Sequence, residues 1–169
     1  MDIVSLLASL LLQMSIYNFS VTAADGQKID FNEFRNKKIL IVNVATKSRY
    51  VDQAGSLERL YHKFKDSLVI IAFPCNDFNN EPLSDKEVST FLISRYHISY
   101  WLASGISVTR ENQAPIYKWL SLQDQNGVMD NNVPGDFTKF LIDSNGNIIG
   151  VFAGIIDPMS DDIQNAIAQ

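Results

Sequence analysis

Residues 37–48, Lys-Lys-Ile-Leu-Ile-Val-Asn-Val-Ala-Thr-Lys-Ser, form a branched apolar run that stops in a polar turn. A run without alternation predicts a strand buried on both faces, so the rest of the chain must cover it from above and below. Leu57, Leu60, Tyr61 and Phe64 follow at helical spacing, and residues 68–73 supply a second apolar run that ends at Pro74. Strand, helix and strand in this order predict a βαβ unit with a parallel pair. The intervening turn carries Ser48. Backbone amides at a helix start favour negative charge, which makes that turn a candidate seat for a nucleophile.

The flanking segments fit one domain, residues 15–169, built around this unit. Tyr17, Phe19 and Val21 alternate with polar residues, and Asp25-Gly26 marks a turn before residues 28–30, which predicts an opening β-hairpin. Residues 30–35 predict a single helical turn. Ser84 and Glu87 make a capping box for a helix through Tyr96 that buries Val88, Phe91 and Leu92. Residues 97–113 show no period, Pro115 takes a first helical position ahead of Ile116, Tyr117 and Leu120, and residues 123–136 read as an exposed loop. Residues 137–142 and 147–152 predict two strands joined through Asp143-Ser144-Asn145-Gly146. A last helix is expected from about Asp157-Pro158, with Met159, Ile163 and Ile167 on one face. Ahead of the domain, Ile3, Leu6, Leu7, Leu10, Leu11 and Met14 form an apolar stripe over residues 1–14. This is expected to be a short amphipathic helix docked on the domain, or an extension upstream of a natural start at Met14.

Composition narrows the function classes. With 169 residues, 46% apolar and 20% charged, the chain can bury a real core as one domain. A net charge of -5, with no Lys/Arg cluster longer than two, argues against nucleic acid or an anionic membrane as partner. The N-terminal run falls short of the roughly 20 apolar residues of a membrane span, and it lacks the basic start and cleavage site of a signal peptide. No integral membrane span and a cytoplasmic location are therefore expected. One cysteine, Cys75, excludes an internal disulfide and a metal site built from several thiolates. Asp124, Asp130 and Asp136 match no metal-binding loop, and Asp157, Asp161 and Asp162 read as capping and dipole charges at a helix start. Tyr96, Tyr100 and Trp101 read as packing beside the second helix.

Three blocks carry a resemblance. Asn43-Val44-Ala45-Thr46-Lys47-Ser48, Phe73-Pro74-Cys75-Asn76-Asp77-Phe78 and Phe137-Thr138-Lys139-Phe140-Leu141-Ile142-Asp143 resemble, in order and spacing, signature blocks of the glutathione peroxidase family. The likeness runs from about Ser15 to Ala168. It implies a thioredoxin-like α/β fold, a central mixed β-sheet flanked by helices with the N-terminal β-hairpin, and the order of predicted elements agrees.

The chemistry that the resemblance implies has been altered in this chain. The family carries cysteine or selenocysteine where this sequence has Ser48, glutamine near Asn80, tryptophan at Gly135 and asparagine at Asp136. A second cysteine that resolves the oxidised nucleophile in many members would fall at Ile93. Peroxide reduction needs a nucleophile ionised near neutral pH and an oxidised state that thiols can return. A serine hydroxyl offers neither, and a carboxylate at Asp136 opposes an anion nearby. Neither His62 nor His97 lies where the family's site would place a base for acyl transfer.

Cys75 follows the second strand, at the edge where α/β proteins place their sites, so a migrated peroxidatic thiol is the alternative to a small core residue. The sequence predicts a family homologue without peroxidase activity that acts as a binding or regulatory module. Its partner would be an unknown protein or small-molecule ligand, without cofactor or metal, in a monomer or weak oligomer. The alternative is an oxidoreductase that reduces hydrogen peroxide or organic hydroperoxides through Cys75, with glutathione or thioredoxin as reductant.

Overall fold

The computed structural model describes residues 14–109 and 112–169, and the expected N-terminal helix lies outside them. Strands β1 (Ser20–Thr22) and β2 (Lys28–Asp30) pair antiparallel as the opening hairpin. A 3-10 turn, Phe31–Phe34, buries both of its phenylalanines and delivers the chain to β3 (Lys38–Val44). Helix α1 (Gln53–Phe64) then returns the chain to β4 (Leu68–Pro74), which runs parallel to β3 with Lys38 opposite Leu68 and Val44 opposite Pro74. Pro74 is the last residue of the strand rather than the first beyond it.

Helix α2 (Asp85–Tyr96) starts on the predicted box, in which the Ser84 amide donates to Glu87 across 2.9 Å. Strand β5 (Trp101–Leu102) follows, then α3 (Pro115–Ser121) with its proline at the first turn, and the short α4 (Gln123–Asn126). The hairpin β6 (Lys139–Ile142) and β7 (Ile148–Phe152) precedes the terminal α5 (Asp161–Ala168).

The main sheet has the order β5-β4-β3-β6-β7, with β5 parallel to β4, β4 parallel to β3, β6 antiparallel to β3 and β7 antiparallel to β6. Alternate residues of the central strands feed two cores, since successive side chains point to opposite faces. Leu40, Val42, Ile70, Ala72 and Leu141 pack under α1, α2 and α5. Ile39, Ile41, Ile71, Phe73 and Phe140 pack under α3 and the N-terminal hairpin.

Four expectations change. Residues 97–113 hold the edge strand β5, too short for any period to show, whose backbone is held by Ala24 N donating to Leu102 O. Residues 123–136 are only in part the expected exposed loop: most are exposed, but α4 interrupts them, and Asn126, Val133 and Asp136 are buried. The terminal helix begins at Asp161 after Ser160, because the Asp157 carboxylate is taken by the Met159 amide and the Ser56 hydroxyl. Asp157 is therefore a tether to α1, and only Asp161 and Asp162 sit at the helix start. Of the aromatic trio, Tyr100 is core, while Trp101 keeps 37% of its surface exposed.

Candidate functional site

The chain leaves β3 at Val44 and does not enter α1 until Gln53, so Ser48 lies in a series of turns ahead of the helix. Its amide donates to Ala45 O at 3.2 Å, and its Oγ accepts from the Tyr50 amide at 3.2 Å. The backbone amide offered to the Ser48 hydroxyl is thus that of Tyr50, in the turn ahead of α1 rather than in the first turn of the helix. Two local clamps hold this turn. The Thr46 amide and hydroxyl each donate to the Glu81 carboxylate at 2.7 Å, and Lys47 N donates to Asn80 O at 3.0 Å. Asn80 thereby comes beside Ser48.

The third segment arrives from before β6. Asn43, in the middle of an apolar strand, donates from Nδ2 to Gly135 O at 3.0 Å and accepts the Phe137 amide on its backbone oxygen at 2.7 Å. Phe137 takes a left-handed backbone with φ of 59°, and its carbonyl accepts from the Nζ of fully buried Lys139 at 2.7 Å. Asp136 is thereby turned toward the loop after β4, where Asn80 Nδ2 donates to its Oδ2 at 2.6 Å. Asp136 Oδ1 is buried and has no hydrogen-bond partner among the described residues.

Ser48, Asn80 and the adjacent Gly135 and Asp136, from three separate segments, line one cleft of about 460 Å³. Lys47, Arg49, Tyr50, Phe78 and Pro134 complete its wall. A β-carbon placed on Gly135 would meet nothing within 4 Å, so the floor of the cleft is open there. Gly154 packs closely on two of these residues: a β-carbon on it would lie 2.2 Å from Asp136 O and 3.1 Å from the Tyr50 ring. Gln53 holds that segment by donating to Gly154 O at 2.7 Å.

Cys75 does not join this group. It is 2% exposed and borders a different cleft, with Asn76, Asp77, Ser107 and Gly105. Burial, joined by the negative charge of Asp77 and opposed by amide hydrogen bonds from Asp77 and Val108, pushes its thiol up to about 12. The carboxylates of that second cleft are already occupied. Asp77 accepts from the Val108 and Thr109 amides at 2.7 and 2.8 Å, and Asp85 accepts from Gly105 N at 2.8 Å.

The histidines are elsewhere: His62 sits 2.8 Å from Glu58 on α1, and His97 ends α2 with φ of 54°. Asp124 is not joined to Asp136 and Asp130 in a site, since no group of three or more His, Cys, Asp or Glu able to hold a metal occurs among the described residues. Ile93 is exposed on α2.

Residue type alone marks neither Glu81, Asn43 nor Gly154, whose contributions are to hold the site's shape. Lys139 did carry a signal, a charge inside an otherwise apolar strand. It resolves as a buried amine whose pKa burial lowers to about 8, against the raising effect of Asp157.

The sheet order and the helices on both of its faces define a thioredoxin-like fold. Within that class the chain belongs to the glutathione peroxidase family, whose family model, "Glutathione peroxidase", matches residues 16–121. It is 35% identical over 147 residues to glutathione peroxidase-like peroxiredoxin 1 of Saccharomyces cerevisiae, covering 85% of this chain and 87% of that protein. It is 30% identical over 158 residues to a glutathione peroxidase of Lactococcus lactis subsp. cremoris, covering 91% of this chain and all of the relative. The crystal structure of T. cruzi GPX1 superimposes with a TM-score of 0.70 at 27% identity, over 92% of this chain and 95% of that one. No helix among the described residues is long and apolar enough to cross a membrane.

Proposed function

We propose that this member of the glutathione peroxidase family does not reduce peroxides and uses the Ser48 cleft to bind a ligand, as a binding or regulatory module. The observation that carries this reading is the seat of the chain's one thiol. A peroxidatic sulfur must be ionised and reachable. Cys75 is buried, raised to about 12, and outside the cleft that Ser48, Asn80 and Asp136 share. At the family position the Ser48 hydroxyl meets no side-chain base among the described residues, where its hydrogen bond is to the Tyr50 amide. A cytoplasmic location and a monomeric or weakly oligomeric state belong to the same proposal.

The second reading, reduction of hydrogen peroxide or organic hydroperoxides by way of Cys75, is supported by the activity in the relatives' names. Peroxide consumption with glutathione and with thioredoxin, measured for the native protein and Cys75→Ala, separates the two. The expected result is no turnover above the uncatalysed rate in either protein. Native turnover that disappears in Cys75→Ala would overturn the binding-module reading.

A further inference from the structure

We propose that the Ser48 cleft takes a small planar ligand carrying a cationic N–H donor, such as an amidinium, at one end and a carboxylate at the other. The inference rests on the reading of that cleft as a binding site and assigns the class of its occupant.

Asp136 sets the first requirement. It is 6% exposed, its Oδ2 is held by Asn80, and its Oδ1 has no partner among the described residues. A buried carboxylate oxygen without a donor is unfavourable, and charge-assisted N–H donors satisfy it best. Asp136 lines the cleft, so a cation entering it is attracted by the carboxylate charge, which the neutral Asn80 amide does not cancel. The same carboxylate disfavours an anion at the floor.

Lys47 and Arg49 set the second requirement. Both are exposed and both line the same cleft, so its mouth is cationic while its floor is anionic. A ligand of one sign meets repulsion at one end, whereas a zwitterion is matched at both. Shape sets the third. Tyr50, Phe78 and Pro134 stand around the open space over Gly135, and flat rings pack well against such faces. The cleft beside Cys75 makes no such demand, because Asp77 and Asp85 already have their donors.

The test titrates the full chain with three probes, 4-amidinobenzoate, benzamidine and benzoate, by calorimetry or protein-observed NMR. Native protein, Asp136→Asn and the double variant Lys47→Met/Arg49→Met are compared, each checked for native far-UV circular dichroism. We expect 4-amidinobenzoate to bind about tenfold tighter than either one-ended probe. Asp136→Asn should weaken it about tenfold without weakening benzoate, and the double variant should weaken it in a salt-dependent way. No binding of 4-amidinobenzoate, equal binding of all three probes, or undiminished binding to Asp136→Asn would each overturn the proposal. Peroxide turnover is read in a separate assay, so the loss of this inference and the loss of the binding-module reading are distinguishable.

Discussion

Asn80 donates from Nδ2 to Oδ2 of Asp136 across 2.6 Å, tying the loop after β4 to the segment before β6. Two consequences follow from that bond. The carboxamide is no longer free to support a nucleophile at Ser48, and the carboxylate is fixed beside it as a negative charge in a largely buried place. An anion forming at residue 48 would face a fixed like charge, which raises the pKa of a neighbouring acid.

Ser48→Cys alone is therefore expected to remain inactive. Its new thiol should titrate at or above the ordinary value of about 8.5, whereas a peroxidatic thiol needs to be well below it. Removing the opposing charge in Ser48→Cys/Asp136→Asn should lower that pKa by about one unit and raise peroxide consumption roughly tenfold over the single variant. Thiolate absorbance against pH and peroxide consumption with glutathione measure both effects. A single variant already as active as the double one would show that Asp136 exerts no such control.

Cys75 should resist modification in the folded protein. With its thiol at about 12 and 2% exposure, the thiolate fraction at pH 8 is on the order of 10⁻⁴, and access is blocked as well. Reaction with an aromatic disulfide reagent should proceed at less than about 1% of the rate of free cysteine, and become fast in denaturing urea. Labelling at comparable rates in the native and unfolded protein would contradict the seat described for the sulfur.

The central βαβ unit, both hairpins and the α2 cap were legible in the sequence because each is written in local pattern: unbroken branched runs, turn residues and a Ser-x-x-Glu box. Strand β5 was not legible, since two residues carry no period and its pairing depends on β4 beside it. The buried part of residues 123–136 was missed for a related reason. Its polar residues look solvated, yet Asn126 is buried by donating to the Trp119 and Met129 carbonyls, a satisfaction visible only in space. The resemblance brought Ser48, Asn80, Gly135 and Asp136 together as a set, and local pattern alone would not. The restraints from Asn43, Glu81 and Gly154 come from backbone partners that no spacing rule reveals.

Gly154→Ala should be markedly harmful, because Gly154 is buried. The added β-carbon would lie 2.2 Å from Asp136 O, a backbone atom that cannot swing aside as a side chain does. Either the segment after β7 or the Asp136 backbone must move, at a cost of about 2–3 kcal/mol by comparison with overpacked cores. Urea unfolding should show that loss. The fluorescence or NMR signals of Tyr50, which also faces Gly154, should shift in the folded state. A variant within about 0.5 kcal/mol of native, the usual range for surface changes, would count against this close approach.

Lys139 gives the stability of the fold a pH dependence of definite sign. Burial lowers its pKa from the ordinary 10.5 to about 8, so between those values the unfolded chain holds a proton that the folded one has released. Stability on this account rises with pH through the window, since the unfolded state binds more protons there. The full effect is up to about 3 kcal/mol, at 1.36 kcal/mol per pKa unit. Cys75 acts oppositely at higher pH: its thiol, raised from 9.0 to about 12, stays protonated in the fold after the unfolded chain has lost its proton, so stability falls from about pH 9 upward. Comparing urea unfolding of native protein with Lys139→Met at pH 7, 8 and 9 cancels the cysteine, which both share. Relative to the variant, the native protein should gain stability from pH 8 to 9, by about 1 kcal/mol. A difference that stays flat over that interval would mean that Lys139 keeps its proton in the folded state.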